Sequence, residues 1–279
     1  MLRVYEVAGK TTVITGAASG IGLSMARAFA DAGMSLVLAD IEADRLNGVV
    51  AGFHNAGHAV LGVRTDVTDE SQIQALADAA IAEFGAVHVV ANNAGVGIGG
   101  AVDEMSLDDW RWIIDVNLWG VIYGVRTFLP LLKAQGEGHI TATSSVAGLL
   151  AGPALGAYNV SKYGVVGLME TARAELDLEN SPVRASVLCP GPVDTNVVRA
   201  ERNRPQQLSP HESSELEDWF WPRLTAALSD GMAPEQVGPL VLDAVRNERF
   251  WILTHPEEHL PVLEERLASM KGDHTHRGL

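Results

Sequence analysis

Short runs of β-branched and apolar residues alternate along the chain with longer segments in which apolar residues recur every three or four positions. The short runs are typical of buried strands, and the longer segments are typical of amphipathic helices. The predicted strands are Thr11–Thr15, Leu36–Ala39, Val60–Val63, Val87–Ala91, His139–Thr143, Val183–Leu188 and Phe250–Leu253. The predicted helices include Ile21–Ala32, Ser71–Phe84, Leu107–Leu132, Tyr158–Leu178 and Pro234–Asn247.

This alternation of strand and helix predicts an α/β fold. Parallel strands joined by helices give a doubly wound, seven-stranded, mainly parallel sheet with helices on both faces. Ligands of such sheets bind beyond the carboxyl ends of the strands, where the strand order reverses. We find no repeat or linker, so residues 1–279 are predicted to form one domain. Within it, the polar segment 196–231 is predicted to be an active-site lid, and the tail 256–279 to be partly helical.

Composition narrows the classes of partner. The formal net charge of −15 argues against nucleic acid and anionic membranes, because both need clustered Lys and Arg. Cys189 is the only cysteine, which excludes an intrachain disulfide and fits a reducing compartment. Residues 1–9 do not resemble a secretory signal and no long apolar run follows, so a soluble, cytoplasmic protein is expected. The histidines show no metal-ligand spacing, and no metal is predicted.

A glycine-rich turn follows the first predicted strand and opens a predicted helix. Glycine permits positive φ and a close approach of the backbone, and a helix N-terminus offers free N–H groups to a pyrophosphate. A tight turn that only packs the helix on the strand would explain the glycines equally well. The residues proposed to bind a cofactor here are Gly16, Ser19, Gly20, Ile21 and Gly22.

Asp40 ends the second predicted strand, eighteen residues beyond Gly22. A carboxylate there can accept the two hydroxyls of an adenosine ribose and would repel a 2′-phosphate, which favours NAD over NADP. NADP stays possible because Arg45 is close in sequence. Asp40 could instead be a solvated residue that opens the next helix.

Several motifs taken together resemble the short-chain dehydrogenase/reductase family over roughly residues 8 to 255. They are TGAASGIG at 15–22, Asp66-Val67, Asn92–Gly95, Asn117, Ser145, Tyr158–Lys162 and Pro190–Thr195. The resemblance implies a Rossmann-like fold, an oxidoreductase with NAD(H) or NADP(H), and a catalytic tetrad of Asn117, Ser145, Tyr158 and Lys162. It also implies cofactor contacts from Tyr158, Lys162, Asp66, Val67, Asn93, Ala94, Gly95, Pro190, Gly191, Val193 and Thr195.

The residues themselves support an acid/base role for Tyr158. Tyr158 and Lys162 are four apart on a predicted helix and therefore share one face. At ~4.5 Å and an effective dielectric constant of ~20, an ammonium would stabilise the phenolate by roughly 3.7 kcal/mol and bring the tyrosine pKa near neutrality. Ser145 could hold the substrate oxygen, with Ser144 as a competitor. The family assigns Asn117 to bending its helix and ordering a relay water.

The substrate is less defined. Leu149, Leu150 and Leu155, Val96–Ile98, and Trp219–Trp221 favour an apolar or aromatic secondary alcohol or ketone. The Trp219–Trp221 triplet could instead anchor the lid. Solvated charge is the commoner explanation of Arg199, Arg202 and Arg204, although an anionic substrate could pair with them.

Apolar area on the helix 107–132 favours a homo-oligomer, and the family usually forms dimers or tetramers. The rival interpretations are an NADP(H)-dependent carbonyl reductase, a non-catalytic nucleotide-binding regulator, and a dehydratase or epimerase. The last class has a TGxxGxxG turn, whereas this chain has TGxxxGxG.

Overall fold

A seven-stranded parallel sheet forms the centre of the protein. The computed structural model describes residues 4–272, so residues 1–3 and the end of the predicted tail, 273–279, lie outside the described residues. The strands are β1 (Thr11–Thr15), β2 (Ser35–Asp40), β3 (Val60–Arg64), β4 (Val89–Asn92), β5 (His139–Thr143), β6 (Arg184–Cys189) and β7 (Trp251–Leu253). Their order is β3-β2-β1-β4-β5-β6-β7, and every pairing is parallel. The predicted fold class is confirmed, and the predicted strand ends differ by at most two residues.

Helices cover both faces of the sheet. They are α1 (Gly20–Asp31), α2 (Ala43–Asn55), α3 (Glu70–Phe84), α4 (Leu107–Ile114), α5 (Gly120–Gln135), α6 (Gly156–Leu178), α7 (Glu215–Ser229), α8 (Val237–Arg246) and α9 (Pro256–Met270). No described helix is long and apolar enough to cross a membrane.

Two apolar cores follow from the alternation of side chains along each strand. Val13 of β1 belongs to the core formed with α3, α5 and α6, whereas its neighbour Ile14 belongs to the core formed with α1, α2 and α8. Strands buried on both faces are rich in β-branched and apolar residues on both, which explains why short runs of such residues predicted them. Phe128 and Phe29 are the largest fully buried side chains of the two cores.

The helix predicted over 107–132 is interrupted. A π turn, Asp115–Trp119, separates α4 from α5, and Asn117 lies in it with no exposed surface. Its amide accepts a hydrogen bond from the Val96 N–H at 2.8 Å and donates one to the Val96 carbonyl at 2.9 Å. The π turn orients the Asn117 side chain toward the segment that follows β4. Apolar spacing alone could not reveal it, because the helix continues on both sides.

We expect Asn117→Ala to destabilise the fold. The variant leaves two buried backbone groups of Val96 without partners, and each such group costs about 1–3 kcal/mol. Urea unfolding of the variant should therefore show a free energy of unfolding lower by about 2–6 kcal/mol. The exposed Asn55 at the end of α2 supplies the matched control, Asn55→Ala. Equal stabilities of the two variants would contradict the role assigned to the Asn117 amide.

Candidate active site

An elongated cleft lies beyond the carboxyl ends of β1 and β4, where the strand order reverses as expected. Most of the predicted site residues line it. They are Gly16, Ser19, Gly20, Ile21, Asp40, Asp66, Val67, Asn93, Ala94, Gly95, Ser145, Tyr158, Lys162, Pro190, Gly191, Val193 and Thr195. Two predicted residues lie behind the cleft wall: Gly22, which is buried in α1, and Asn117 in the π turn.

The glycine turn joins β1 to α1 at one side of the cleft. Gly16 has φ +65°, and a Cβ on it would lie 2.9 Å from the Ala94 Cα, so a side chain is excluded there. A Cβ on Gly22 would lie 2.1 Å from the Gly16 carbonyl oxygen. Ser19 precedes α1 without capping it, and the first turn holds no acidic residue. The N-terminal N–H groups of α1 are therefore open to an anion, so packing and anion binding coexist.

Asp40 is held firmly at the far end of the cleft. One carboxylate oxygen accepts a hydrogen bond from the Ala18 N–H at 2.9 Å, and the other accepts one from the Glu42 N–H at 3.0 Å. Asp40 ends β2 but does not cap α2, whose N-cap is Glu42. The carboxylate is thus fixed against the glycine turn. Asp66, by contrast, closes a local turn through its hydrogen bonds with the Thr68 N–H and hydroxyl, which agrees with its alternative interpretation as a turn residue.

Asn93 connects the two sides of the cleft across the strand ends. Its side-chain amide donates to the Thr15 carbonyl at 3.0 Å, and its backbone N–H donates to the Thr15 hydroxyl at 2.9 Å. Its amide oxygen accepts from the Thr143 hydroxyl at 3.0 Å, and the Thr143 carbonyl accepts from the Lys162 ammonium at 3.0 Å. These hydrogen bonds link the glycine turn to Lys162.

Tyr158 and Ser145 meet at the opposite end of the cleft from Asp40. Ser145 follows β5 and caps a short 3-10 helix by accepting from the Ala147 N–H. The Ser145 hydroxyl also favours the phenolate form of Tyr158 and so lowers the Tyr158 pKa. Ser144 is buried and donates to the Lys162 carbonyl at 2.8 Å, so Ser144 has a structural contact. Of the two serines, Ser145 is the one that affects the Tyr158 pKa, and its role toward a substrate stays a prediction.

The predicted lowering of the Tyr158 pKa is wrong for this structure. Burial raises the pKa of Tyr158 above its usual value, and the hydrogen bond from Ser145 offsets only part of that increase. Lys162 is 5.5 Å from the centroid of the tyrosine ring and donates to Thr143 instead. Burial also lowers the pKa of Lys162 to about 8. Desolvation of both groups, which a point-charge sum omits, is the physical reason for the difference.

Apolar side chains form the wall of the cleft near Tyr158. They are Val96, Trp112, Val116, Val197, Ala200 and Leu228. Among the predicted substrate contacts, Val96 lines the cleft, but Leu150 is buried in the fold and Trp219 is 56% exposed. Trp221 and Glu217 of α7 pack where a Cβ on Gly99 would lie, so part of the triplet anchors the segment. Trp112 was not among the predicted contacts, although its place on an apolar helix face close to Asn117 is the signal that could have identified it.

The 196–231 segment folds over the cleft and is held by ion pairs. It forms a 3-10 helix, Asn196–Asn203, and then α7. The expected solvation is wrong for Arg204, whose side chain is 7% exposed, whereas Arg202 stays exposed although it forms an ion pair. Arg202 pairs with Glu42 at 2.9 Å, and Arg204 pairs with Asp109 of α4 at 2.7 Å and lies over the Trp112 ring. These partners are far apart in sequence, so spacing could not predict the contacts.

His211 joins two carboxylates between the segment and α4. Its Nδ1 lies 3.2 Å from Asp109, and its Nε2 lies 2.8 Å from Glu217. Burial alone would lower the pKa of His211, but hydrogen bonds to Glu217 and Asp109 outweigh burial and raise it. Both carboxylates are nearly inaccessible, so a charged His211 compensates them.

The family comparison agrees with this geometry. The family model "short chain dehydrogenase" matches residues 10–206, and the chain therefore belongs to the short-chain dehydrogenase family. A short-chain dehydrogenase/reductase from Burkholderia phymatum, solved in complex with NAD, is 42% identical, with a TM-score of 0.94 and 98% of each chain covered. The chain is an oxidoreductase of the NAD(P)-dependent alcohol dehydrogenase and ketone reductase type.

Two other relatives show the breadth of the family. The "CLA biosynthesis dehydrogenase/reductase" of Lactiplantibacillus plantarum is 32% identical over 95% of this chain and 94% of its own length. An alcohol dehydrogenase from the archaeon Thermococcus sibiricus, solved with 5-hydroxy-NADP, is 27% identical with a TM-score of 0.71, covering 88% of this chain and 94% of its own. The cofactor class is thus a nicotinamide dinucleotide.

We expect the attachment of the 196–231 segment to weaken as pH rises. Because the folded-state pKa of His211 is raised, its contribution is complete below the ordinary histidine pKa and is lost as pH rises through the raised value. Amide hydrogen exchange, corrected for intrinsic rates, should show residues 205–220 better protected at mildly acidic than at mildly alkaline pH.

His211→Gln should abolish that pH dependence, because glutamine does not titrate. His54→Gln, at the exposed end of α2, is the matched control and should keep it. Protection of residues 205–220 that depends on pH equally in wild type and in His211→Gln would contradict the assignment.

Proposed function

We propose that the protein is an NAD(H)-dependent oxidoreductase that interconverts a secondary alcohol and a ketone, with Tyr158 as the acid/base. One observation carries the proposal: Tyr158, Ser145 and Lys162 line the same cleft as the glycine turn and Asp40. A protein that only binds a nucleotide has no need for Tyr158 and Ser145 in this cleft. The cleft therefore supports catalysis rather than binding alone.

The residues present fit a dinucleotide. The open N-terminus of α1 and the glycine turn would hold the pyrophosphate, and Asp40 would hold the adenosine ribose. The remaining cofactor contacts are proposed as above from the cleft lining, with Asp66 and Val67 toward adenine and Val193 and Thr195 toward the carboxamide. When bound, the nicotinamide ring supplies or accepts the hydride.

The chain's own groups orient the substrate and move the proton. In reduction, the neutral phenol of Tyr158 donates its proton to the carbonyl oxygen of the substrate, and the Ser145 hydroxyl donates a hydrogen bond to the same oxygen. In alcohol oxidation, the Tyr158 oxygen accepts the proton of the substrate hydroxyl. A raised tyrosine pKa keeps the phenol protonated near neutral pH, which suits the acid role. Lys162 places a positive charge beside the ring.

NAD is proposed as the cofactor because Asp40 presents a carboxylate that repels a 2′-phosphate, and the relative with 42% identity was solved with NAD. An NADP(H)-dependent carbonyl reductase is the second candidate. The observation that favours it is Arg202, a cation that lines the same cleft as Asp40.

The substrate is proposed to be an apolar or aromatic secondary alcohol or its ketone. The wall formed by Val96, Trp112, Val116 and Leu228 offers mostly apolar contacts near Tyr158. We propose that the 196–231 segment acts as the lid of this site within a single domain 1–279, and that the protein is cytoplasmic.

A homo-oligomer is also proposed. Trp119 and Tyr123 form an aromatic pair at 5.6 Å, and Trp119 is 43% exposed near the start of α5. Such exposed apolar area is typical of a subunit interface. Dimer and tetramer remain alternatives.

We expect Tyr158→Phe to remove turnover while preserving the fold and cofactor binding. Loss of general acid/base catalysis should lower kcat by roughly 10²–10⁴-fold. Activity would be followed by the absorbance of reduced cofactor across aliphatic, alicyclic and aryl secondary alcohols and their ketones, with NAD(H) and NADP(H).

Tyr163→Phe is the matched control, because Tyr163 lies on the same helix as Tyr158 and its hydroxyl donates to the Leu149 carbonyl. It should keep most of the wild-type kcat. Retention of wild-type kcat in Tyr158→Phe would overturn the acid/base role, and absence of turnover by wild type across the whole panel would overturn the proposed function.

A further inference from the structure

We propose that Glu42 determines cofactor specificity by occupying the arginine side chain that would otherwise bind a 2′-phosphate. The proposal rests on the NAD preference proposed above and adds a residue to it. Asp40 explains why a 2′-phosphate is repelled, but it does not explain why Arg202, which lines the same cleft, fails to attract one.

Glu42 stands where the ribose end of the cleft meets α2. It follows Asp40 by two residues, and its N–H donates to Asp40 at 3.0 Å. It is the N-cap residue of α2, yet its side chain makes no capping hydrogen bond. Its carboxylate is therefore available for other contacts, and Glu42 lines the cleft beside Asp40.

Arg202 is fixed by its own segment on one side and by Glu42 on the other. Its Nη1 donates to the carbonyls of Arg199 at 2.6 Å and Asn196 at 3.2 Å. Its Nε and Nη2 lie 3.0 and 2.9 Å from one oxygen of Glu42. The Nε–Nη2 edge is the planar fork with which arginine binds carboxylates and phosphates. Glu42 fills that edge.

Two further side chains complete the contacts of Glu42. Asn203 donates to the same carboxylate oxygen at 3.1 Å, and Arg45 lies 3.6 Å from the other oxygen. Burial alone would raise the pKa of Glu42, but hydrogen bonds from Asn203 and Arg202 outweigh it and lower the pKa. Glu42 is therefore charged at neutral pH, and it engages both arginines nearest the ribose end.

Removal of the Glu42 charge should make the ribose end of the cleft less negative. The two carbonyls would still hold Arg202 in place, with its fork now open toward the cleft. A 2′-phosphate could then form a charge-assisted, two-point contact with that fork, and only Asp40 would oppose it. NAD carries only an uncharged hydroxyl at this position, so its affinity should change little. Glu42 thus sets the difference between the two affinities, which is what specificity measures.

The test measures the Kd of NAD and of NADP by calorimetric titration without any substrate. Glu42→Gln, which keeps the size of the side chain but removes its charge, lets a 2′-phosphate displace the neutral amide from the Arg202 fork and should tighten NADP binding relative to NAD about tenfold, the size of one additional charge-assisted contact. Glu42→Gln/Arg202→Gln should lose that gain. Asp44→Asn removes a charge of the same sign from an exposed position two residues away and should leave the ratio of the two Kd values unchanged.

The outcomes separate this inference from the proposed function. A wild-type protein that binds NADP more tightly than NAD would contradict the proposed NAD preference. A wild type that prefers NAD but keeps the same ratio in Glu42→Gln would overturn the role of Glu42. So would a gain that survives in the double variant or occurs equally in Asp44→Asn.

A separate variant covers the case in which Glu42→Gln does not fold. Glu42→Ser also removes the carboxylate from the Arg202 fork and should shift the NADP to NAD ratio in the same direction as Glu42→Gln. An unchanged ratio in Glu42→Ser would overturn the inference.

Discussion

The hydrogen bonds of Asn93 at the end of β4 are the constraint on which the rest of the site depends. A primary amide can donate and accept at once, and Asn93 uses both capacities toward neighbouring strands: it donates to Thr15 and accepts from Thr143. The carbonyl oxygen of Thr143 in turn accepts a hydrogen bond from the ammonium of Lys162. The distance between the glycine turn and the base of α6 is therefore set by strand ends in a rigid sheet and not by loops. A reaction that needs a bound cofactor and a proton donor in fixed relation requires this kind of support.

Charge is distributed around the site in a way that suits an acidic protein. The turn that faces the proposed pyrophosphate uses backbone N–H groups and needs no basic side chain. The arginines near the cleft form ion pairs with carboxylates: Arg202 with Glu42, and Arg204 with Asp109. These pairs fasten residues 202 and 204 of the 196–231 segment to the start of α2 and to α4, so the same contacts that neutralise the cations also hold the proposed lid.

The sequence predicted those features that depend on local pattern. The bounds of β1 and β5 agree with the prediction because both strands are short runs of β-branched and apolar residues, and Tyr158 and Ser145 were grouped by the family motifs and their spacing. The apolar spacing did not show the π turn, because the Asn117 amide is compensated by Val96, twenty-one residues away; only the family resemblance implied a bend there. The Tyr158 pKa was misjudged because desolvation depends on the surrounding fold. The carboxylate partners of Arg202 and His211 could not be predicted, because only the tertiary structure brings them close.

The central claim is that the cleft transfers a hydride between a carbinol carbon and a nicotinamide. Isotope transfer tests it most directly: 1-phenylethanol deuterated at the carbinol carbon, or the secondary alcohol that turns over fastest, is incubated with NAD and the protein. Mass spectrometry of the reduced cofactor should show one deuterium per molecule, with none released to water. Reduced cofactor that carries no deuterium, or deuterium that appears in the solvent, would contradict the account.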